Sequence, residues 1–243
     1  MISSFFKTVF YQPLYNGLIY LMDILPFFDA GVIVILFTII VKLIMFPLSI
    51  KATRAQIEMK EIEKDLKLIK EQYSDKQVQT QKTIELYKEK NINPFAGFFV
   101  LLLQLPIIIA LYQIFLKSGL PVINMELLYS FVSAPLSINM SFLGLIDIAG
   151  KSIVLALLAG VSTYFQIAYA TPPADKNVDP DSKPTMQEDM MKMMQKQMKY
   201  GFPVLVTFIS WSVSAAVSIY WITSNLFTIA QELYIRKHIR VSK

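Results

Sequence analysis

The sequence predicts an all-α integral membrane protein: a bundle of five transmembrane helices, N-terminus outside and C-terminus in the cytoplasm, with a cytoplasmic helical hairpin and an outer amphipathic helix. Three observations predict it. Of 243 residues, 54% are hydrophobic, against about 45–50% in soluble domains, and mean hydropathy is +0.48. The excess collects in long runs without charge, the mark of bilayer spans. The basic residues gather in three segments that lie between and after those runs.

Four apolar runs stand out. Gly31–Ile50 is apolar except for Lys42, Phe95–Leu116 is uncharged over 22 residues, Ser152–Thr171 over 20 and Tyr200–Gln231 over 32. A helix needs about 20 residues to cross a hydrocarbon core about 30 Å thick, so the first three runs are single spans. The fourth is long for one span and short for two, and charge decides it. Lys51–Lys90 holds 10 of the 23 Lys and Arg, the segment 172–199 holds five, and the tail after Tyr234 holds four (Arg236, Lys237, Arg240 and Lys243). Basic residues near span ends favour the cytoplasm. All three segments can lie there only if the fourth run crosses twice, turning near Ser212–Ser214. Both last helices are then short, which implies local bilayer thinning. The expected order is an outer segment 1–29, spans 30–50, 94–117, 151–171, 200–213 and 215–235, a cytoplasmic hairpin 51–92, an outer loop 118–150, a Pro- and Met-rich cytoplasmic loop 172–199 and a basic tail 236–243.

Outside the first span, Leu14, Leu18, Leu21 and Leu25 recur at three or four. That predicts an amphipathic helix over Tyr11–Phe28 lying on the outer interface, with Tyr11, Tyr15 and Tyr20 at headgroup level and Pro26 ending it. Lys51–Lys90 mixes ten basic with eight acidic residues. Met59, Ile62, Leu66, Ile69 and Tyr73 form one apolar stripe, Ser74-Asp75-Lys76 breaks it, and a second helical stretch runs to Glu89. This is the pattern of a helical hairpin. Asn91-Ile92-Asn93-Pro94 ends it.

Several classes are disfavoured. There is no cysteine, so no disulfide framework or thiolate metal site. The single histidine, His238, lies in the basic tail. HExxH, GxSxG and Gly-rich phosphate loops are missing, and Asp147 has no partner suggesting an intramembrane aspartyl pair. The expectation is a non-enzyme without cofactor or metal. The first residues, with Lys7 as the lone early charge, do not read as a cleaved signal peptide.

Lys42 is the sharpest feature. In a helix it sits roughly 16 Å from Gly31 and roughly 12 Å from Ile50. A bare ammonium at that depth costs about 2.5–3.5 kcal/mol. The span carries no acid to pair with it, and the nearest along the chain are Asp29 and Glu58. Either a water-filled cavity receives it, or it snorkels to the headgroups. Thr38 lies one turn earlier on the same face. Gln104 is the lone amide mid-way along the second span. Thr163 and Gln166 in the third, and Ser210, Thr223, Ser224 and Asn225 in the last two, offer each helix a polar face, although each alone fits a helix–helix hydrogen bond equally well. Met186, Met190, Met194 and Met198 recur at four and form a flexible stripe, suited to promiscuous apolar binding or to rest on lipid. The net charge of +5 suits anionic lipids.

These segments, in order, resemble the YidC/Oxa/Alb family of membrane protein insertases. Thr38-Ile-Ile-Val-Lys-Leu-Ile-Met-Phe-Pro-Leu48 resembles the family's first core helix. Tyr87-Lys-Glu-Lys-Asn-Ile-Asn-Pro94 with Leu103-Gln-Leu-Pro-Ile-Ile-Ile-Ala-Leu-Tyr112 is similar to its hairpin end and second core helix. Tyr220-Trp-Ile-Thr-Ser-Asn-Leu226, followed by Gln231, resembles its last core helix. The resemblance implies a polar groove open to cytoplasm and lipid but closed outside, with groove residues at Thr38, Lys42, Gln104 and Trp221, to which the spacing adds Thr223 and Asn225. It implies insertion of nascent or small membrane proteins without nucleotide hydrolysis, in the bacterial plasma membrane. The protein is expected to act as a monomer and to bind no DNA, with the Sec translocon and the ribosome as candidate partners. Two positions depart from the family pattern: Lys42 stands where arginine is usual, losing the planar fork, and Ser212-Val213-Ser214 stands at a turn that is usually Pro-Ser-Gly. The competing readings are a small anion channel or transporter and a membrane-protein assembly scaffold.

Overall fold

The computed structural model describes residues 4–90, 92, 96–116, 120–170, 193 and 196–239. Two compact units divide the chain, the first formed by residues 1–43 and 107–243, the second by residues 44–106.

The first unit opens with α1 (Ser4–Phe6), a π-helical turn (Lys7–Tyr11) and α2 (Gln12–Ile24). Tyr15, Leu18, Ile19 and Met22 are buried, at spacings of three and one that place them on one face. Of the expected Leu14, Leu18, Leu21 and Leu25 stripe, only Leu18 is buried. The reason is that the segment around Met125–Leu127, itself a turn of 3-10 helix, packs on α2, so protein covers this face. The helix ends at Ile24, and Leu25 leaves the helical region (φ −124°, ψ 55°), as steric pressure from the following Pro26 favours.

α3 (Ala30–Glu61) is 32 residues long, about 48 Å. It continues as helix past the span end expected at residue 50, with Pro47 inside it. Asp29 caps its start, Oδ1 accepting from the Val32 N–H at 2.9 Å.

In the second unit α4 (Glu63–Gln72) and α5 (Lys76–Glu89) pack on each other. Ile62 breaks the helix (φ −90°, ψ 4°) and is buried, while Leu66, Ile69 and Tyr73 are half-buried. The Met59 side chain lies outside the described residues. Asp75 caps α5 by accepting from the Gln77 N–H at 2.7 Å. Lys82 and Glu85 pair at 2.7 Å on its exposed side, which raises the Lys82 pKa and lowers that of Glu85.

After α6 (Ala96–Leu116), the loop 120–150 holds an antiparallel pair that the sequence reading did not foresee: β1 (Ser141–Phe142) and β2 (Ile146–Asp147), with Ser141 opposite Asp147. Their turn passes through Leu143 (φ 53°) and Gly144 (φ 71°). A left-handed leucine is uncommon, and its N–H is held by Asp29 Oδ2 at 3.1 Å.

α7 (Ile153–Ala170), α8 (Phe202–Ser212, entered through a π-helical turn Gln197–Gly201) and α9 (Ala215–Ile239) complete the unit. α7 packs on both α8 and α9. A Cβ at Gly160 would meet Thr207 Oγ1 and, at 3.0 Å, the Pro203 carbonyl, so α7 and α8 approach as closely as glycine permits. α8 has 11 residues and α9 has 25, about 17 and 38 Å. Only the first is short, where two short final helices were expected.

Among the described residues, Ala30–Lys51 is long and apolar enough to cross a membrane, and Leu105–Phe115 and Ile153–Tyr169 are shorter apolar stretches. α7 exposes Ile153, Leu157, Val161 and Phe165, and α8 exposes Val204, Phe208 and Trp211. Apolar faces of this extent call for a non-aqueous neighbour.

Candidate functional site: a polar seam inside the helix bundle

The interior of the first unit carries a line of polar side chains. α3 supplies Thr38 and Lys42, one turn apart. Thr38 is fully buried, its hydroxyl donating to the Val34 carbonyl at 2.6 Å. Lys42 is 9% exposed, and its Nζ donates to Thr228 Oγ1 on α9 at 3.3 Å. The Thr228 hydroxyl in turn donates to the Ser224 carbonyl at 2.8 Å, so its remaining lone pair faces the ammonium.

The depths of the two residues agree. The Ala30 N–H donates to the Asn139 carbonyl and the Ala215 N–H to the Gly150 carbonyl, so α3 and α9 both start at the 120–150 loop. Lys42 lies about 18 Å along α3, and Thr228 about 20 Å along α9.

Asn225, also buried on α9, donates its amide to Ser162 Oγ at 3.0 Å and Thr163 Oγ1 at 2.8 Å, both on α7. Its two donors therefore join helices. Thr223 is half-buried and bonds back to the Ile219 carbonyl at 2.8 Å, and Trp221 is half-buried on the same helix. The side chain of Gln104 lies outside the described residues, as do Met186, Met190 and Met194. Met198 is exposed in the π-helical turn before α8.

Sequence reasoning missed Thr228, together with buried Gln113 on α6 and buried Glu232 on α9, and it named buried Gln231 only as part of the last-helix motif. Asn225, Thr228 and Glu232 fall at spacings of three and four on one helix face, so the signal was present. It was lost because α9 was expected to be short, which placed Glu232 at the flank of a span.

At the loop end of the unit, α2 and the start of α9 are tied to the 120–150 loop by hydrogen bonds. Asn16 donates to the Leu127 carbonyl at 2.8 Å and accepts from the Tyr129 N–H at 2.7 Å. Tyr15 OH accepts from the Asn124 N–H at 2.8 Å, and burial pushes its phenol pKa up against the lowering effect of that bond. The Ala216 N–H donates to the Ile148 carbonyl at 3.0 Å. Among the described residues no group of three or more His, Asp or Glu is placed to hold a metal.

The fold and its interior define a helical membrane protein with a buried cation in a polar seam. The family model of the 60Kd inner membrane protein matches residues 22–242. The membrane protein insertase YidC of Clostridium tetani is 36% identical over 213 residues, 87% of this chain and 84% of that one. The YidC of Fusobacterium nucleatum is 30% identical over 210 residues, 86% of this chain and 87% of that one. The YidC of Francisella tularensis subsp. novicida is 32% identical over 213 residues, but the match spans 33% of its length. The crystal structure of an active YidC insertase with its first transmembrane domain resolved superposes with a TM-score of 0.54 at 21% identity, covering 94% of this chain and 46% of that one. The chain belongs to the 60Kd inner membrane protein family, the family of the YidC proteins. Membership makes it a multi-pass protein of the bacterial plasma membrane.

Proposed function

We propose that this protein is a membrane protein insertase acting through a five-span bundle, N-terminus out and C-terminus in, without nucleotide hydrolysis. The observation that carries the reading is Lys42, buried about 18 Å along α3 and hydrogen-bonded to Thr228 on α9. Relatives at 36% and 30% identity over most of their length bear the name insertase, which supports it.

The polar seam holds the hydrophilic outer tail of a substrate partway across and so lowers the desolvation cost of its passage. Lys42, with Thr38, Trp221 and Thr223, receives that tail and attracts its acidic residues. The hairpin 51–92 and the Met186–Met198 stripe receive the apolar segment, which leaves sideways into lipid driven by burial at about 25 cal/mol per Å². The short α8 thins the bilayer beside the path. Anionic lipids hold the basic segments, and the translocon and ribosome are candidate partners.

The test is insertion of a small substrate with an acidic outer tail into proteoliposomes holding only this protein, read by protease protection. Protection above empty liposomes supports the reading. Anion flux without protection would instead indicate a channel.

A further inference from the structure

Large apolar side chains stand out of the protein around the start of α3. Phe27 and Phe28, in the turn between α2 and α3, are 74% and 41% exposed, and Leu143 and Leu145, at the tip of the β1–β2 hairpin, are 64% and 84% exposed. They form one cluster because the hairpin is fastened to the first turn of α3. The Leu143 N–H donates to Asp29 Oδ2 at 3.1 Å and the Ala30 N–H to the Asn139 carbonyl at 2.8 Å, and a Cβ at Gly31 would run into the Phe142 ring. The rings of Phe27 and Phe28 lie against each other, with centroids 4.6 Å apart. Asp29, set between the two pairs, spends both carboxylate oxygens on backbone N–H groups, those of Val32 and Leu143.

Leu143 is doubly unfavourable in water. It holds a left-handed conformation (φ 53°) that glycine, asparagine or aspartate adopts at lower cost, and it then leaves most of its side chain outside the protein. Such a cluster calls for an apolar neighbour, and α3 sets which one. Its apolar stretch Ala30–Lys51 has 22 residues, about 33 Å against a hydrocarbon core of about 30 Å. In a multi-pass membrane protein the first turn of that stretch therefore lies at the boundary between headgroups and acyl chains. Groups hydrogen-bonded to this turn share its level, where apolar side chains meet lipid.

We infer that Phe27, Phe28, Leu143 and Leu145 insert into the leaflet at the start of α3 and form a lipid anchor, which holds the β1–β2 hairpin and the head of α3 at one depth. The partner is the bilayer itself, met through apolar area rather than through charge. In the proposed topology this is the outer leaflet. The anchor does not depend on the insertase function.

The chain has no cysteine, so single cysteines can be spin-labelled without background. Leu145→Cys and Phe27→Cys are labelled in proteoliposomes, and collision with oxygen, which concentrates in lipid, is compared with collision with a water-soluble nickel chelate. Leu157→Cys on the exposed apolar side of α7 is the lipid reference, and Ser74→Cys in the exposed turn between α4 and α5 is the water reference. The anchor predicts an oxygen-to-nickel ratio at both sites several-fold above that of the water reference. A ratio equal to the water reference overturns it. So does low accessibility to both reagents, which would show that a second copy of the chain or another protein covers the cluster. Leu143→Asn keeps a residue suited to the left-handed turn and removes the apolar side chain, and it should lower the ratio at position 145 several-fold. An unchanged ratio overturns the part assigned to Leu143.

Discussion

Asn225 Nδ2 lies 2.8 Å from Thr163 Oγ1, a bond that ties α9 to α7 inside the bundle. With Ser162 Oγ taking the other amide hydrogen at 3.0 Å, Asn225 joins helices through both of its donors. Asn225→Leu should lower stability by about 1–3 kcal/mol, because two hydroxyl oxygens are left without that donor in a buried site. Thermal unfolding in detergent checks it. Insertion should fall equally for acidic and neutral tails. A loss confined to acidic tails would place Asn225 in the substrate path instead.

Gly160 and Thr207 set the spacing of α7 and α8. Gly160→Ala forces its Cβ against Thr207 and the Pro203 carbonyl, an overpacking that costs about 1–3 kcal/mol. Thr207→Ala in the same chain should recover part of the lost Tm by removing the hydroxyl. No recovery would mean that the carbonyl contact dominates.

Asn16 is a third anchor. It bonds both the Leu127 carbonyl and the Tyr129 N–H. Asn16→Ala should cost about 1–3 kcal/mol and speed amide hydrogen exchange over residues 124–132, leaving α7 and α9 protected. Uniform loss of protection would show instead that Asn16 supports the whole bundle.

Much of the helical architecture was legible because long uncharged runs have one stable form in lipid, and Lys42 was legible because a lone charge in such a run is costly. Its partners were not. Thr228, which takes the hydrogen bond from its Nζ, lies far along the chain, and only the crossing of α3 with α9 brings it to Lys42. The β1–β2 pair escaped notice because two-residue strands carry no period. The buried face of α2 was misplaced because leucine spacing cannot distinguish lipid from a loop as its cover. Asn225 was read as part of a polar chamber, and its dual bonding to α7 depends on which helix it faces.

The central claim is that the buried charge of Lys42 draws an acidic tail into the seam. The most direct measurement compares wild type, Lys42→Arg and Lys42→Gln in proteoliposomes, with substrates that differ only in having an acidic or a neutral outer tail. The account predicts that Lys42→Gln lowers acidic-tail crossing about tenfold, equivalent to about 1.4 kcal/mol, with little change for the neutral tail, and that Lys42→Arg retains crossing of both. Equal losses for the two tails in Lys42→Gln would contradict it and leave Lys42 a purely structural member of the bundle.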